Sequence, residues 1–247
     1  PIFEAHGWGL YPIRSKLTIQ CINQMMPALA KISWQSPDNI NFKNELISYL
    51  KEKEIEDDIK FANLFTKYGS DKSSLHNYHA LYNRLLKKTN PTKKIFEIGL
   101  GTNNLDIVST MGKDGKPGAS LRAFRDYIQS AKVYGADYDN RILFTENRIQ
   151  TYFVDQTDPF TFEKLSSNIG NDFDLMIDDG LHSPNANLHS LQFFMHHLKI
   201  GGYAVIEDIN KLTEPIWKVV SHLIEPNFQS AFIETKSAFV FVIKRVS

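Results

Sequence analysis

"KIFEIGLGTNN" at residues 94–104 decides the fold. A short apolar run, Ile95, Phe96 and Ile98 around Glu97, has the length and composition of a strand. It stops at Gly99 and Gly101, and a polar Thr102–Asn103–Asn104 follows. Four more runs of the same texture come after it: "AKVYGAD", "IQTYFVD", "FDLMID" and "GGYAVIED". Helical stretches such as "SLRAFRDYI" and "NANLHSLQFFMHHL" separate some of them, the pattern of a parallel sheet covered on both faces. The closing "FQSAFIETKSAFVFVIKR" reads as a β-hairpin. Residues 1–90 have another texture, with Leu46, Ile47, Leu50, Ile55, Ile59, Leu64 and Phe65 at helical spacings and no strand. The expected organisation is a helical N-terminal extension over 1–90 and a Rossmann-like α/β domain over 91–247. The charge run "KEKEIEDD" at 51–58 is most simply a solvated face or a connection.

At 247 residues and 42% hydrophobic, the chain is long enough to bury a full core. Its 28 basic and 28 acidic residues cancel, and it has no long basic run, so nucleic acid is not an expected partner. No apolar stretch reaches the roughly 18 residues of a membrane span. The single Cys21 rules out an internal disulfide and a multi-cysteine zinc site. A cytoplasmic setting fits, although a start at Pro1 leaves a removed leader open. Residues 9–34, "GLYPIRSKLTIQCINQMMPALAKISW", carry enough apolar surface to suggest packing on the same chain or on a second copy in a homo-oligomer.

All five strands finish in acids: Glu97, Asp137, Asp155, the pair Asp178–Asp179 and the pair Glu207–Asp208. An open α/β sheet binds its ligand beyond the carboxyl ends of its strands, and acids avoid burial unless paired or bound. One such acid would mean little, but five on one sheet edge indicate a site. The glycine pair by itself is weak evidence. A nicotinamide fingerprint would place a third glycine where Asn104 stands, and Asp137 lies 40 residues after Glu97, twice the compact spacing. The surplus is the polar segment "TNNLDIVSTMGKDGKPG". A loop that long beside a ligand edge is often functional.

The set "EIGLGTNN", "GKPGASLRAFRDYI", "VYGADYD", "IDDGLH" and "GGYAVIED", preceded by "KYGSDKSSLHNYHALY", resembles the class I S-adenosylmethionine-dependent methyltransferases. Within them it is most similar to the metal-dependent sugar O-methyltransferases of the mycinamicin and macrocin type and their relatives in polysaccharide gene clusters. The likeness covers about residues 62–210. It implies a divalent metal such as Mg²⁺ held by Asp179, Glu207 and Asp208, with His182 as the base. Leu181 departs from the small hydroxyl residue usual there. The implied cofactor residues are Tyr68, Glu97, Gly99, Gly101, Asn103, Asp137 for the ribose, Asp155 and Gln156 for the adenine edge, and Asp178. Tyr68, Asp71, Lys72, His76 and His79 lie in a stretch that reads equally as a segment closing over the cofactor or substrate and as an ordinary helix start.

Physical chemistry agrees with that assignment. Three carboxylates suit a hard cation that prefers oxygen ligands and keeps positions open for water or substrate. A bound dication acidifies a coordinated oxygen, for water from 15.7 to about 7. His182 stands three residues beyond Asp179, and its ordinary pKa of about 6.5 suits a base at neutrality. His189, His196 and His197 read as packing or surface residues of the following helix. The expected activity is O-methylation of a sugar or sugar-linked hydroxyl in a capsule, surface-polysaccharide or natural-product pathway, on a sugar, nucleotide-sugar or polysaccharide precursor. Alternatives are methylation of a phosphoryl or phosphoramidate substituent, an NAD-dependent oxidoreductase, and a non-catalytic binding or scaffold protein.

Overall fold

Apolar residues three and four apart give the chain its first elements. The computed structural model describes residues 37–89, 91–224 and 226–247; Cys21 and the apolar stretch at 9–34 lie outside them. Helix α1 (Pro37–Lys51) buries Phe42, Leu46 and Tyr49. Helix α2 (Glu56–Tyr68) buries Phe61 and Phe65, and α3 (Tyr78–Lys88) buries Tyr78, Leu81, Tyr82 and Leu85. Gly69 ends α2 at φ +84°, with its N–H bonded to the carbonyls of Phe65 and Thr66. Two expected core positions differ: Ile55 and Ile59 are 40% and 50% exposed, because the two phenylalanines fix the inward face of α2.

The alternating part of the chain forms β1 (Lys94–Ile98), α4 (Ala119–Tyr127), β2 (Lys132–Asp137), a two-residue β3 (Thr145–Glu146), β4 (Ile149–Phe153) and α5 (Pro159–Ile169). It continues through β5 (Phe173–Asp178), α6 (Pro184–His197), β6 (Leu198–Ile209), α7 (Glu214–Leu223), β7 (Phe228–Glu234) and β8 (Phe239–Arg245). One sheet results, in the order β3-β4-β2-β1-β5-β6-β8-β7. The strands from β4 to β6 are parallel, and β3, β8 and β7 are antiparallel to their neighbours. The expected parallel sheet with a C-terminal antiparallel hairpin is therefore the observed one.

Strand periodicity divides the core in two. Ile95, Leu175, Ile177, Tyr203 and Val205 pack with α1–α4 on one face; Phe96, Ile98, Met176, Ala204 and Ile206 pack with α5–α7 on the other. The helices of residues 37–89 thus share a core with the sheet. Chain order reverses on either side of β1, which pairs with β2 and with β5, so the crevice of this fold opens at the carboxyl ends of β1 and β5.

Candidate active site

A cavity of about 760 Å³ opens at that reversal. Its walls come from the glycine turn at 98–101, the strand ends at Asp137–Tyr138, Val154–Thr157, Asp179–His182 and Glu207–Asp208, and the loops at 69–72 and 106–111. The long polar segment after β1 is therefore a wall of the cavity. Its Asp106 accepts two hydrogen bonds from Arg141 at 3.0 and 3.1 Å. Arg141 also bonds Asp139, whose carboxylate takes Thr102 and Asn104 at 2.7 Å. This network ties the segment to the end of β2 and holds the Asp139 carboxyl well below its ordinary range, Arg141 being the main cause.

On the β1–β2–β4 side, backbone amides take up the acids. Asp137 accepts from Leu100 N at 2.7 Å and from Asp139 N at 2.8 Å, an arrangement that locks the glycine turn onto β2. Burial nonetheless pushes its pKa up. Gly99 sits at φ +92°, and a Cβ there would collide with the backbone carbonyl of Asp179; Gly101 sits at φ +76° with, among the described residues, only the Met111 side chain nearby. Asp155 lines the cavity and accepts from Thr157. Gln156 lines it too, but its amide is committed: it donates to Asp178 and Ser190 and accepts from Leu181 N. Tyr138 is 54% exposed and offers an aromatic surface at the rim.

On the β5–β6 side the alternation of strand faces separates Asp178 from Asp179. Asp178 turns to the α6 face, where Gln156, Gly180 N and Asn187 bond it, and it does not line the cavity. Asp179 and Glu207 turn the other way, onto the Nζ of Lys72 at 2.6 and 2.5 Å, with Glu97 Oε1 at 3.2 Å. Lys72 is buried. Burial alone would lower its pKa, but the three carboxylates outweigh it and raise the value well above the ordinary one. Burial raises Glu207 far above the carboxylate range; for Asp179 burial works upward as well, but Lys72 and His182 outweigh it and leave that carboxyl lowered. Tyr82 donates to the second oxygen of Glu207.

A β-bulge then redirects Asp208. Ile206 pairs with Phe241 but Ile209 pairs with Phe239, so β6 has one residue more than β8 across this step. Asp208 takes up the surplus at φ +52° and accepts from Tyr78 Oη at 2.5 Å, with His76 Nδ1 at 3.4 Å. His182 is also left-handed, at φ +53°, and its Nε2 lies 3.7 Å from Asp179 Oδ1. Left-handed backbone at a non-glycine residue costs of order 1–3 kcal/mol and gathers at functional sites. Among the described residues, Asp179, His182 and Asp208 offer ligand atoms within 4.8 Å of one another.

Of the residues singled out from sequence, Gly99, Gly101, Asp137, Asp155, Gln156, Asp179, His182, Glu207 and Asp208 line one cavity. Glu97 lies behind it, between Lys72 and Ser120. Tyr68 and Asn103 are not in its lining: the Tyr68 hydroxyl donates to Asp126, and Asn103 is exposed. His189 bonds the Gln156 carbonyl, and His197 is buried against Phe193 and Ser166. Sequence reasoning missed Tyr78 and Tyr82, and it had Lys72 only as a member of the stretch at 68–79, without its acidic partners. Tyr78 and Tyr82, four apart on one helix face, both reach the acids of β6, and Lys72 neutralises the acids of three strands. A signal existed: Glu97 and Glu207 sit in apolar strands, and a buried carboxylate requires a cation or donors from elsewhere.

No protein-family model matches the chain. Among curated proteins it is 30% identical over 186 residues to the 8-demethyl-8-alpha-L-rhamnosyl tetracenomycin-C 2'-O-methyltransferase of Streptomyces olivaceus, covering 75% of this chain and 44% of that protein. It is 30% identical over 148 residues to the demethylmacrocin O-methyltransferase of Streptomyces fradiae, covering 59% and 35%. The chain thus spans less than half the length of these relatives. Among solved structures, MycE methyltransferase from the mycinamycin biosynthetic pathway, in complex with Mg and SAH, superposes with a TM-score of 0.59 at 21% identity, over 76% of this chain and 55% of that one. That likeness is one of fold.

Proposed function

We propose that this chain, which has the class I methyltransferase fold and is related in sequence to sugar O-methyltransferases, transfers a methyl group from S-adenosylmethionine to a hydroxyl of a sugar carried on a small molecule. The observation that carries the reading is the convergence of Asp179, His182 and Asp208 in the cavity that the glycine turn also borders. Gly99 and Gly101 let backbone approach the cofactor closely, Asp137 fixes that turn and faces the ribose, and Asp155 and Tyr138 border the adenine end. The sulfonium requires nearby negative charge, and this cavity supplies it.

The donor set fits a divalent ion. Asp179 and Asp208 present carboxylate oxygens within 4.8 Å of a His182 nitrogen, and Glu207 of β6 lines the same cavity. Asp179, Glu207 and Asp208 would hold Mg²⁺, whose charge would make an acceptor hydroxyl more acidic. His182, at the rim and half-exposed, accepts the proton of that hydroxyl at a ring nitrogen. The hydrogen bond from Tyr78 keeps Asp208 aimed into the cavity. Acceptor choice between a glycosylated natural product and a nucleotide-sugar or polysaccharide precursor falls to the loop at 106–111, where Val108 and Met111 are exposed.

Purified protein incubated with methyl-labelled S-adenosylmethionine, Mg²⁺ and a panel of rhamnosylated polyketides and nucleotide-sugars tests this directly. Label should appear on a sugar oxygen and vanish with chelator, while calorimetry shows S-adenosylhomocysteine binding and no NADH binding. Absence of cofactor binding would refute the methyltransferase reading, and full transfer in exhaustive chelator would refute the metal.

A further inference from the structure

We propose that Lys72 is a resident cation that competes with the divalent ion for Asp179 and Glu207, and that it steps back onto Glu97 when the ion binds. The inference rests on the metal reading above and adds to it a residue from outside the five strands. Its two shortest ion pairs, 2.6 Å to Asp179 and 2.5 Å to Glu207, go to two of the three acids assigned to the metal. Tyr82 takes the other oxygen of Glu207. While Lys72 stays in place, each Glu207 oxygen already accepts from a buried donor, and the ammonium occupies the approach to Oε2.

An ammonium and a dication sharing the same two carboxylates repel each other strongly at low local dielectric, so the simplest arrangement lets one replace the other. The structure contains a place for the displaced ammonium. Glu97 Oε1 is buried, and among the described residues it has only the longer ion pair with Lys72 Nζ at 3.2 Å, whereas Oε2 is held by Ser120 at 2.6 Å. That weakly held oxygen belongs to β1, which β5 separates from the strand that carries Glu207 and Asp208. A buried acceptor left without a full partner carries a free-energy cost, and a short swing of the lysine end would relieve it. The loop at 69–77 need not move, because four side-chain torsions separate Nζ from a backbone that Tyr78 N already fixes through the Lys72 carbonyl at 2.8 Å.

Mn²⁺ binding, followed by electron paramagnetic resonance in wild type and Lys72→Met with circular dichroism as the folding control, tests the competition without any acceptor. Removing the competitor should tighten Mn²⁺ binding about tenfold or more. A lysine that merely scaffolds the acids predicts the opposite, since its loss would splay them. Equal or weaker binding by a folded Lys72→Met therefore overturns the proposal and leaves the metal reading standing. Binding by neither protein overturns both. If the variant does not fold, a wild-type crystal grown with Mn²⁺ decides: Nζ moved onto Glu97 supports the exchange, and Nζ still between Asp179 and Glu207 overturns it.

Discussion

The two halves of the sheet's carboxyl edge treat the same residue type in opposite ways. Toward β2, the Asp137 carboxylate is satisfied by two backbone amides, and its effect is to hold the glycine turn in shape. Toward β6, Asp179, Glu207 and Asp208 are held by side chains from the N-terminal helices and their loop, Lys72, Tyr78 and Tyr82. Left-handed backbone is confined to glycine in the first half but falls on His182 and Asp208 in the second. The first half is finished by local structure. The second is assembled from distant parts of the chain, and it is the half to which the proposed chemistry is assigned.

The largest effect is expected where the halves meet. Gly99 must stay left-handed and lies against the Asp179 backbone, so Gly99→Val combines strain with a collision that no flexible side chain relieves. Urea denaturation should show a loss of about 4 kcal/mol or more. Among the described residues, Gly101→Val has only the Met111 side chain to push aside. It should cost about 1–2 kcal/mol of stability yet greatly weaken S-adenosylmethionine binding by calorimetry. Equal destabilisation by the two would mean that the glycine turn is not what couples the halves.

Next come the acids themselves, whose replacement should separate the halves functionally. Asp208→Asn should lower methyl transfer about 10²- to 10³-fold with cofactor affinity nearly unchanged, the loss expected of a group that acts in the transition state. Asp137→Ala should do the reverse. It leaves the amides of Leu100 and Asp139 without their acceptor, costing about 1–3 kcal/mol and weakening cofactor binding, with Mn²⁺ affinity preserved. A variant of either acid that damages both affinities alike would erase the distinction between the halves.

Much of this was legible before any coordinates. The five apolar runs end within two residues of the strand ends, β4 stopping at Phe153 short of Asp155, and period-2 alternation sends Asp178 and Asp179 to opposite faces. Periodicity alone could not show which acid of the 178–179 pair faces the cavity, because that depends on register, nor that Glu207 and Asp208 both line it, because that depends on a bulge defined only by pairing with β8. Nor did periodicity reveal Asp58. Inside a charge run read as solvated, it is buried and bonds Asn83, Arg84 and Ile55 N, because α2 turns that one position toward α3. Tyr68 fails for a related reason: its motif lies beside the site, but its hydroxyl is taken by Asp126 on α4. Partners supplied across the fold decide these cases, and a local pattern does not contain them.

The smallest prediction concerns a titratable group outside both halves and serves as their control. His197, at the end of α6, stacks on Phe193 with ring centroids 4.1 Å apart. Its Nδ1 lies 2.8 Å from the Phe193 carbonyl, which can only accept, so Nδ1 carries the proton and Nε2 accepts from Ser166 Oγ at 2.9 Å. Both nitrogens are used by the neutral ring, and burial, the main cause, lowers its pKa below the ordinary value. The unfolded chain therefore takes up this proton first as the pH falls. The contribution of His197 to stability is complete above about pH 6.5 and declines below it toward the folded value, with a slope of at most about 1.4 kcal/mol per pH unit. Urea denaturation of wild type and His197→Asn at pH 7.5 and 5.5 should show a smaller loss on acidification in the variant. Cofactor and Mn²⁺ affinities should match wild type at pH 7.5, since neither ring nitrogen reaches the cavity. An unchanged pH dependence would mean that His197 titrates alike in the folded and unfolded chains, so that burial beside Phe193 does not hold the ring neutral.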